Sequence, residues 1–258
     1  MIPVLTKEQA YKLDKDTIES GHLSQEELMD NAGKAVAQFF CEKIENPFNQ
    51  KVVVVCGKGN NGGDGVIAHS YLKKYNVSSK IIFIEGKHGQ SKLIKKYKID
   101  KSEYSIYNDK TTFNKYDWII DGIFGIGLSR ELNDKYKEMV EKINSNKDII
   151  SIDIPSGLCS DFNSNKYSDA IDSKYVVTFG YSKLGHYLNP INSLHILDIG
   201  FKSIISNIKK IDWNKIDLIF TALPNGQAQK IAKKIPKNIK LIDLSGDFRL
   251  DSAKKFKK

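Results

Sequence analysis

Three short turns of the sequence combine glycines with asparagine, aspartate and serine residues, and each turn follows an apolar segment. They span residues 59–64, 121–127 and 153–157. The Asn61 amide, the Asp121 carboxylate and the Ser156 hydroxyl offer hard oxygen ligands, which suit a hard cation. No histidine or cysteine stands beside them at the spacing of a zinc site. Together, these side chains predict an oxygen-lined cation site.

Asp153 is the carboxylate of these turns that would be left for proton transfer. Partial burial would raise its pKa, because a charged carboxylate is costly to remove from water. With a pKa nearer to neutral, the group could act as an acid and as a base in turn. A single aspartate at a strand end is more often a turn former or a helix cap. The case for chemistry therefore depends on all three turns meeting at one place.

The first turn has the composition of a phosphate-binding turn. Residues 52–55 form an apolar run that predicts a buried strand, and residues 66–75 are compatible with a helix. Between these segments stand Gly57, Gly59, Gly62, Gly63 and Gly65. Glycine backbones can approach a ligand closely, and their N–H groups attract anions together with the N-terminus of the following helix. The two asparagines and Asp64 add oxygen ligands that a simple dinucleotide turn does not need.

Apolar runs and amphipathic segments alternate through the first 200 residues. We expect strands at residues 52–55, 80–85, 105–107, 118–121, 149–152, 174–179 and 195–197. We expect helices at residues 7–20, 24–44, 66–75 and 131–144, and a lysine-rich helix or loop at 90–100. This order predicts an α/β fold with a mainly parallel sheet between helices. Ligands of such sheets bind outside the carboxyl ends of the strands, so the three turns would converge on one edge.

The charge of the chain is unevenly distributed. The 258 residues have a formal net charge of +9, which on its own would favour an acidic partner such as nucleic acid. Residues 201–258 contain 13 Lys and 1 Arg against 5 Asp and no Glu, so they account for the whole excess. Residues 1–200 are therefore neutral overall, and the basic tail lacks the interleaved aromatic residues of a stacking surface. We expect no nucleic-acid partner.

Cysteine usage and hydropathy favour a cytoplasmic location. Cys41, Cys56 and Cys159 are an odd number without C-x-x-C spacing, which indicates free thiols in a reducing compartment. No segment approaches the roughly 18 apolar residues of a membrane-spanning helix. The first residues lack the basic and apolar regions of a signal peptide. We expect a cytoplasmic protein without a membrane partner.

In its ordered motifs, the chain resembles the NAD(P)H-hydrate epimerases, the family with the YjeF N-terminal domain. The motifs are Leu-Met-Asp-Asn-Ala-Gly at 28–33, Gly-Asn-Asn-Gly-Gly-Asp-Gly at 59–65, Asp-Gly-Ile-Phe-Gly-Ile-Gly-Leu at 121–128, Asp-Ile-Pro-Ser-Gly at 153–157 and Thr-Phe-Gly at 178–180. The resemblance covers residues 1–200. It implies a Rossmann-like three-layer αβα sandwich and a homodimer. It also implies an isomerase of nicotinamide nucleotide repair, which interconverts the R and S forms of NADH or NADPH hydrated at C6.

The resemblance also implies the residues of the site. One potassium ion per subunit would be held by Asn61, Asp121 and Ser156, and Asp153 would be catalytic. Substrate contacts would come from Asn60, Asn61, Gly62, Gly63, Asp64, Gly125, Ile126, Gly127, Leu128, Ser129, Arg130, Glu131 and Asp153. A separate NAD(P)H-hydrate dehydratase would use the S form that the epimerase supplies.

Arg130 and Lys183 each have two interpretations. Arg130 could contact a phosphate or be a charge at the start of a helix, and Lys183 could neutralise a phosphate or be a solvated loop lysine. For Lys183 the solvated lysine is the simpler interpretation. We interpret Cys56 as a packed thiol, and His186 as an ordinary surface or core histidine.

The last 58 residues have a different origin in our interpretation. Residues 217–250 predict a strand, a turn, a helix and a strand, which is one βαβ unit. The sequences Ala-Leu-Pro-Asn-Gly at 222–226 and Asp-Leu-Ser-Gly-Asp-Phe-Arg-Leu at 243–250 resemble part of N-acetyl-γ-glutamyl-phosphate reductase. The glycine-rich turn and the cysteine nucleophile of that family are missing. We expect residues 201–258 to be an incomplete reductase-like fragment. Its origin is either a gene fusion, a truncation or an assembly error, or the fragment is a genuine extension of the first domain.

An alternative function stays open at this point. A non-catalytic module on the same fold could bind a nucleotide or a protein without any reaction. Such a module could lose Asp121 or Asp153, and this chain has both. A dinucleotide-dependent reductase would depend on the tail, where its nucleophile is missing. The sequence alone does not distinguish NADH hydrate from NADPH hydrate as the preferred substrate.

Overall fold

The computed structural model describes residues 3–128, 131–146, 148–161, 169–201, 216–221, 232–233 and 235–243. It divides the chain into two compact units. The larger unit is Val4–Lys202, and the smaller one combines Met1–Pro3 with Ser203–Lys258. The assignment of an epimerase domain to residues 1–200 and of a reductase-like fragment to 201–258 concerns what each part does, and it stays a prediction.

A parallel sheet of seven strands forms the centre of the larger unit. The strands are β2 (Lys51–Cys56), β3 (Ser78–Phe83), β4 (Tyr104–Ile106), β5 (Trp118–Gly122), β6 (Ile149–Ile152), β7 (Tyr175–Phe179) and β9 (Leu194–Leu197). Their order in the sheet is β4-β3-β2-β5-β6-β7-β9, and every neighbouring pair is parallel. Two short strands, β1 (Val4–Leu5) and β8 (Ser182–Lys183), pair with each other. The predicted α/β fold with a mainly parallel sheet is confirmed.

Six α-helices accompany these strands in the described part of the larger unit. They are α1 (Lys7–Glu19), α2 (Gln25–Lys43), α3 (Asn60–Lys74), α4 (Ser91–Lys96), α5 (Asp134–Asn144) and α6 (Gly185–Leu188). A capping box begins α1 at Thr6 and another begins α2 at Ser24, because each hydroxyl accepts from the third helical N–H. The N-terminus of α2 is therefore where the Ser24–Glu27 pair predicts it.

Both faces of the sheet are buried, as the two clusters of apolar side chains show. On one face, Val52 and Val54 of β2 join a cluster with Phe40 of α2. On the other face, Val53 and Val55 join a cluster with Met139 of α5. A continuous valine run is the expected sequence of a parallel strand that is covered on both sides. The layers are thus helix, sheet and helix.

The glycine-rich turn differs from its prediction in one respect. Helix α3 begins at Asn60, so residues 60–65 form its first turns instead of a loop that precedes a helix at residue 66. Close packing explains why glycines occur in a helix here. A Cβ on Gly62 would lie 2.0 Å from the Gly57 carbonyl oxygen, and one on Gly33 of α2 would lie 2.5 Å from Ile67 Cβ. The tertiary contacts outweigh the poor helix propensity of glycine.

The smaller unit contains a parallel pair of strands, β10 (Leu218–Thr221) and β11 (Lys240–Asp243). A parallel pair agrees with the predicted βαβ unit, whose helix lies outside the described residues. Across the described part of the chain, none of the helices has the length and apolar character needed to span a membrane.

Candidate active site

A cavity of about 440 Å³ opens at the carboxyl ends of β2, β5 and β6. The glycine turn after β2, the loop after β5 and Asp153 after β6 line it together. Helix α1 adds Tyr11, Asp14 and Ile18, which lie at three- and four-residue steps along one helix face. The predicted convergence of three strand ends on one edge is therefore present in the structure.

Asp153 has an unusual backbone conformation beside this cavity. Its φ is +66°, in the left-handed region that few residues other than glycine adopt. Its N–H donates to the Val177 carbonyl at 2.7 Å, which ties it to β7. Its Oδ2 accepts from the Ile126 N–H at 3.1 Å, and its Oδ1 accepts from the Thr178 hydroxyl at 3.0 Å. These bonds hold the carboxylate in one orientation toward the loop after β5.

Lys183 is the closest cation to Asp153, and it is buried. Its Nζ lies 2.8 Å from Asp153 Oδ1 and donates to the Thr178 hydroxyl at 2.6 Å. The interpretation of Lys183 as a solvated loop lysine is wrong. The reason is the two-residue pairing of β1 with β8, which folds Lys183 inward and is too short to recognise in a sequence.

His186 forms hydrogen bonds with the backbone of both Asp153 and Lys183. Its Nε2–H donates to the Asp153 carbonyl oxygen at 2.7 Å, and its Nδ1 accepts from the Lys183 N–H at 3.0 Å. Burial lowers the pKa of His186 to about 4, although the nearby Asp153 opposes the change. His186 is therefore a neutral core histidine that fixes the Asp153 backbone.

The pKa of Asp153 differs in direction from its prediction. Burial raises the pKa of this carboxyl, but the Lys183 ammonium, the Thr178 hydroxyl and His186 together outweigh burial. The pKa of Asp153 consequently lies below its ordinary value, and the expectation of a raised pKa is wrong. Asp153 is an ionised carboxylate at neutral pH.

Two other carboxyls of the cavity have raised pKa values. Burial raises the pKa of Asp14 in α1 to about 6, with a further increase from Asp153 and a partly opposing effect of Lys183. Burial, Asp153 and Asp14 raise the pKa of Asp64 in α3. The cavity can therefore hold a proton on a carboxyl that is not Asp153. The sequence analysis missed Asp14, although its position on one face with Tyr11 and Ile18 was a usable signal.

The three predicted cation ligands meet around the backbone of Phe124. The Asn61 Nδ2 donates to the Phe124 carbonyl at 2.8 Å, and the Phe124 N–H donates to Ser156 Oγ at 2.9 Å. Ser156 Oγ donates to Asp121 Oδ1 at 2.6 Å, and the Ser156 N–H donates to Asp121 Oδ2 at 2.9 Å. Asn61, Asp121 and Ser156 thus belong to one connected group of oxygen atoms.

The oxygen atoms of this group are of the kind that hard cations prefer. Asp121 is fully buried, and no ion pair among the described residues includes it. Burial raises the pKa of Asp121 despite hydrogen bonds from Ser156, Ile123 and Ser151 that lower it. A bound cation would compensate the buried charge. Among the described residues, no group of three or more His, Cys, Asp or Glu side chains is placed to hold a metal ion. The oxygen atoms beside Asp121 come from neutral groups such as the Ser156 hydroxyl and the Phe124 carbonyl.

Gly125 lies between the predicted cation ligand Asn61 and Asp153. A Cβ on Gly125 would lie 3.0 Å from Asp153 Oδ2 and 3.2 Å from Asn61 Oδ1. These two oxygens therefore face nearly the same point, and only a glycine leaves that point open. The Asp153 carboxylate and the Asn61 side-chain oxygen therefore lie close to the same side of Gly125.

Some of the predicted substrate contacts line the cavity, and others do not. Lining the cavity are Asn60, Asn61, Asp64, Gly125, Ile126, Gly127 and Leu128. A Cβ on Gly62 or Gly63 would meet the Gly57 backbone or the Met29 side chain, so both glycines serve close packing beside the cavity. Glu131 is exposed at the loop end. Ser129 and Arg130 lie outside the described residues.

Gln90 positions the glycine turn, and the sequence analysis missed it. Its buried Nε2 donates to the Gly57 carbonyl at 3.1 Å and to the Gly59 carbonyl at 2.9 Å. Gly59 is the N-cap of α3 and supplies no side chain to the first N–H groups of the helix. The turn is therefore anchored through its carbonyls, while the N-terminus of α3 lies at the cavity.

Comparison with known proteins connects this geometry to one family. The family model for the N-terminus of YjeF-related proteins matches residues 25–185. A model of the NAD-binding domain of semialdehyde dehydrogenases matches residues 179–255, which agrees with the resemblance of the tail to a reductase fragment.

Curated relatives match the chain over different shares of their length. A bifunctional NAD(P)H-hydrate repair enzyme of Dictyoglomus turgidum is 34% identical over 88% of this chain and 46% of its own length. An NAD(P)H-hydrate epimerase of Oenococcus oeni is 32% identical over 70% of this chain and 87% of its own length. The chain thus spans about half the length of the Dictyoglomus enzyme. It covers 36% of the length of a bifunctional NAD(P)H-hydrate repair enzyme of Thermofilum pendens.

A solved structure has the same fold. The crystal structure of a yeast protein superposes with a TM-score of 0.64 and covers 76% of this chain and 88% of its own. Its sequence identity is 22%, so it supports the fold of the larger unit and no further property.

Proposed function

The chain belongs to the family of YjeF-related protein N-termini, and from this premise we propose that it is an isomerase that epimerises hydrated NADH or NADPH. The observation that supports this most is the position of Asp153. A carboxylate in a left-handed backbone conformation, paired with a buried lysine, faces a cavity beside the predicted cation ligands. A module that only binds a nucleotide has no need of such a group.

The reaction requires loss and return of one hydroxyl. In the hydrate, the ring nitrogen can donate its electron pair and expel the C6 hydroxyl, which leaves with a proton as water. The product is a flat iminium cation that water can attack from either face. Attack on the opposite face, with loss of a proton from the water, gives the other epimer. The enzyme therefore needs a proton donor, a proton acceptor and a stabilising charge.

We assign two of these tasks to Asp153. As an ionised carboxylate, it stabilises the iminium cation and accepts a proton from the incoming water. Its catalytic assignment is kept, but its low pKa makes it the base and not the acid of the forward step. General acid and base catalysis of this kind contributes roughly 10²–10⁴-fold to a rate.

Asp14 is the proposed source of the proton for the departing hydroxyl. Its pKa of about 6 lies near the pH of the reaction, where a general acid is most effective. It comes from α1, whereas Asp153 follows β6, so the two carboxyls approach the cavity from different elements. One proton passes from Asp14 to the leaving oxygen, one passes from water to Asp153, and exchange with solvent restores both groups.

We propose that Asn61, Asp121 and Ser156 hold one potassium ion, with the Phe124 carbonyl as a neighbouring oxygen. When bound, this ion would supply positive charge that compensates the buried Asp121 carboxylate. The glycine turn and the N-terminus of α3 contribute the backbone N–H groups for those phosphates. Asn60, Asp64 and the loop of residues 125–131 complete the proposed substrate contacts.

The names of the relatives support a coupling of this chain to a second repair activity. Two of them carry names that combine repair activities in one bifunctional enzyme. We propose that this chain supplies the S epimer to a separate dehydratase in the cytoplasm, and that it does so as a homodimer. Its function would then be the repair of damaged nicotinamide nucleotides.

A coupled assay tests the proposed function. The R hydrate is mixed with a dehydratase that accepts only the S hydrate, and the absorbance of reduced nicotinamide is followed in potassium buffer. We expect this chain to accelerate the recovery of absorbance well beyond the spontaneous rate. An unchanged rate with folded protein would favour the alternative, a nucleotide- or protein-binding module without catalysis.

A further inference from the structure

We propose that Glu85 makes the cavity selective for the hydrate of NADH over the hydrate of NADPH. This inference rests on the proposed function, and it concerns the end of the cavity that lies farthest from Asp153. Glu85 follows β3, lines the cavity and is not part of the motifs at the other strand ends.

The strand order gives the separation between the two ends. Asp153 follows β6 and Glu85 follows β3, and β5 and β2 lie between these strands. Three steps between neighbouring strands amount to about 14 Å. The glycine turn after β2 lies within this span. A dinucleotide with its reacting ring at Asp153 and its phosphates at the glycine turn would therefore place its second ribose near Glu85.

Contacts on the cavity wall hold the Glu85 carboxylate in place. Its Oε2 lies 3.0 Å from the Nζ of Lys58, which belongs to the glycine turn. Its Oε1 accepts from the hydroxyl of Tyr136 in α5, and both Lys58 and Tyr136 also line the cavity. The carboxylate is thus fixed between the phosphate-binding turn and the helix that follows the second glycine loop.

A carboxylate at this place can distinguish a ribose with a free 2′-hydroxyl from one with a 2′-phosphate. In dinucleotide-binding folds, an acidic side chain after the strand next to the glycine turn accepts a hydrogen bond from the ribose 2′-hydroxyl. The hydrate of NADPH has a phosphate there, and its negative charge would face Glu85. Placing like charges together at a binding site opposes association. Glu85 therefore favours the ligand with a free 2′-hydroxyl.

Glu85 also controls Lys58. In the ion pair, the charge of Lys58 is compensated, so it is not a free partner for a 2′-phosphate. Lys87, the first lysine after Glu85 in the chain, donates to the Tyr104 hydroxyl at 3.0 Å and does not line the cavity. Removal of the Glu85 charge would release Lys58 toward a 2′-phosphate. The change from one selectivity to the other thus depends on a single carboxylate.

The experiment compares kcat/KM for the two R hydrates in wild type, Glu85→Gln and Glu85→Gln/Lys58→Gln. We expect the wild type to favour NADH hydrate by about tenfold. In Glu85→Gln, this ratio should fall to near one, because NADPH hydrate gains and NADH hydrate loses a contact. The double variant should lose the gain for NADPH hydrate, since Lys58 supplies it.

Glu26→Gln is the matched control. Glu26 of α2 forms an ion pair with Lys96 of α4 at 2.8 Å. Glu26 does not line the cavity. Its variant has the same charge change and should keep the wild-type ratio. Dissociation constants for NADH and NADPH, measured by calorimetry on the same proteins, report the selectivity independently of turnover.

The two proposals fail in different ways. A wild type that binds both dinucleotides equally, or a Glu85→Gln variant that keeps the wild-type ratio, would overturn the role of Glu85 even if epimerisation is fast. Selective binding without epimerisation would support Glu85 and contradict the proposed function instead.

Discussion

The ammonium of Lys183 lies 2.8 Å from Oδ1 of Asp153, and both side chains are almost wholly buried. This ion pair decides the protonation state of the cavity. Without the lysine, burial would raise the pKa of Asp153 above its ordinary value. With the lysine, Asp153 is ionised at neutral pH, whereas the pKa values of Asp14 and Asp64 are raised.

Lys183→Met should raise the pKa of Asp153, because burial is then no longer opposed by the ammonium. The acidic limb of the kcat/KM profile should therefore move to higher pH. In addition, removing one partner of a buried pair should lower the free energy of unfolding by about 3–5 kcal/mol at neutral pH. Kinetic pH profiles and urea denaturation measure these two effects.

Lys174→Met is the control for this change, because Lys174 pairs with Asp148 at 2.6 Å in an exposed position. It should leave the pH profile unchanged. The sign of the stability effect also depends on pH. In the wild type, the contribution of Asp153 is present above its unfolded pKa of about 3.9 and is lost as pH falls through the lower folded pKa. An acidic limb of Lys183→Met at the wild-type position would contradict the role of the pair.

Asp14→Asn should slow epimerisation by roughly 10²-fold, because the variant cannot protonate the departing hydroxyl. In the wild type, kcat/KM should decrease as pH rises through about 6, where Asp14 loses its proton. The variant should lose this dependence. Both effects can be measured by kinetics between about pH 5 and pH 8, because a carboxyl with this pKa titrates in that interval. A wild-type profile that is flat above pH 6 would remove Asp14 from this role.

The same substitution should stabilise the folded protein. The folded pKa of Asp14 is raised, so the wild type becomes less stable as pH rises from the unfolded pKa through about 6. At neutral pH the penalty is roughly 2 kcal/mol after allowance for partial exposure. Asp14→Asn should recover this amount at pH 7.5 and little at pH 4. Equal effects at both pH values in urea denaturation would show that Asp14 does not have a raised pKa.

Potassium should stabilise the protein through Asp121. Because a ligand of the folded state raises stability by mass action, the Tm should be higher in potassium chloride than in lithium chloride of equal ionic strength. Asp121→Asn should abolish the difference. The exposed Asp148 offers the matched control, since Asp148→Asn changes the same charge outside the cavity. Identical Tm values for the wild type in the two salts would count against a specific potassium site.

Much of the fold could be predicted from the sequence, since its signals are local. The valine run of β2 and the capping boxes of α1 and α2 depend on neighbouring residues, and the strands and helices they predict are present. The convergence of Asn61, Asp121 and Ser156 followed from the rule that ligands bind at one edge of a parallel sheet.

The parts that could not be predicted depend on contacts between distant segments. Lys183 is buried because β8 pairs with β1, which is about 180 residues away in the chain. The lowered pKa of Asp153 then depends on that lysine, and the raised pKa of Asp14 depends on burial. Neither cause is visible in a spacing pattern. The prediction of a loop at residues 60–65 is wrong, because propensity alone does not reveal the close packing of α3.

The central claim is that Asp153 catalyses loss and return of the C6 hydroxyl. The most direct test is epimerisation of the R hydrate in ¹⁸O-labelled water, with mass analysis of the separated S epimer for wild type and Asp153→Asn. We predict that the wild type accelerates formation of an S epimer that carries ¹⁸O at C6. Asp153→Asn should bind NADH but form S epimer only at the spontaneous rate. An S epimer that retains ¹⁶O, or an Asp153→Asn variant as fast as the wild type, would contradict the account.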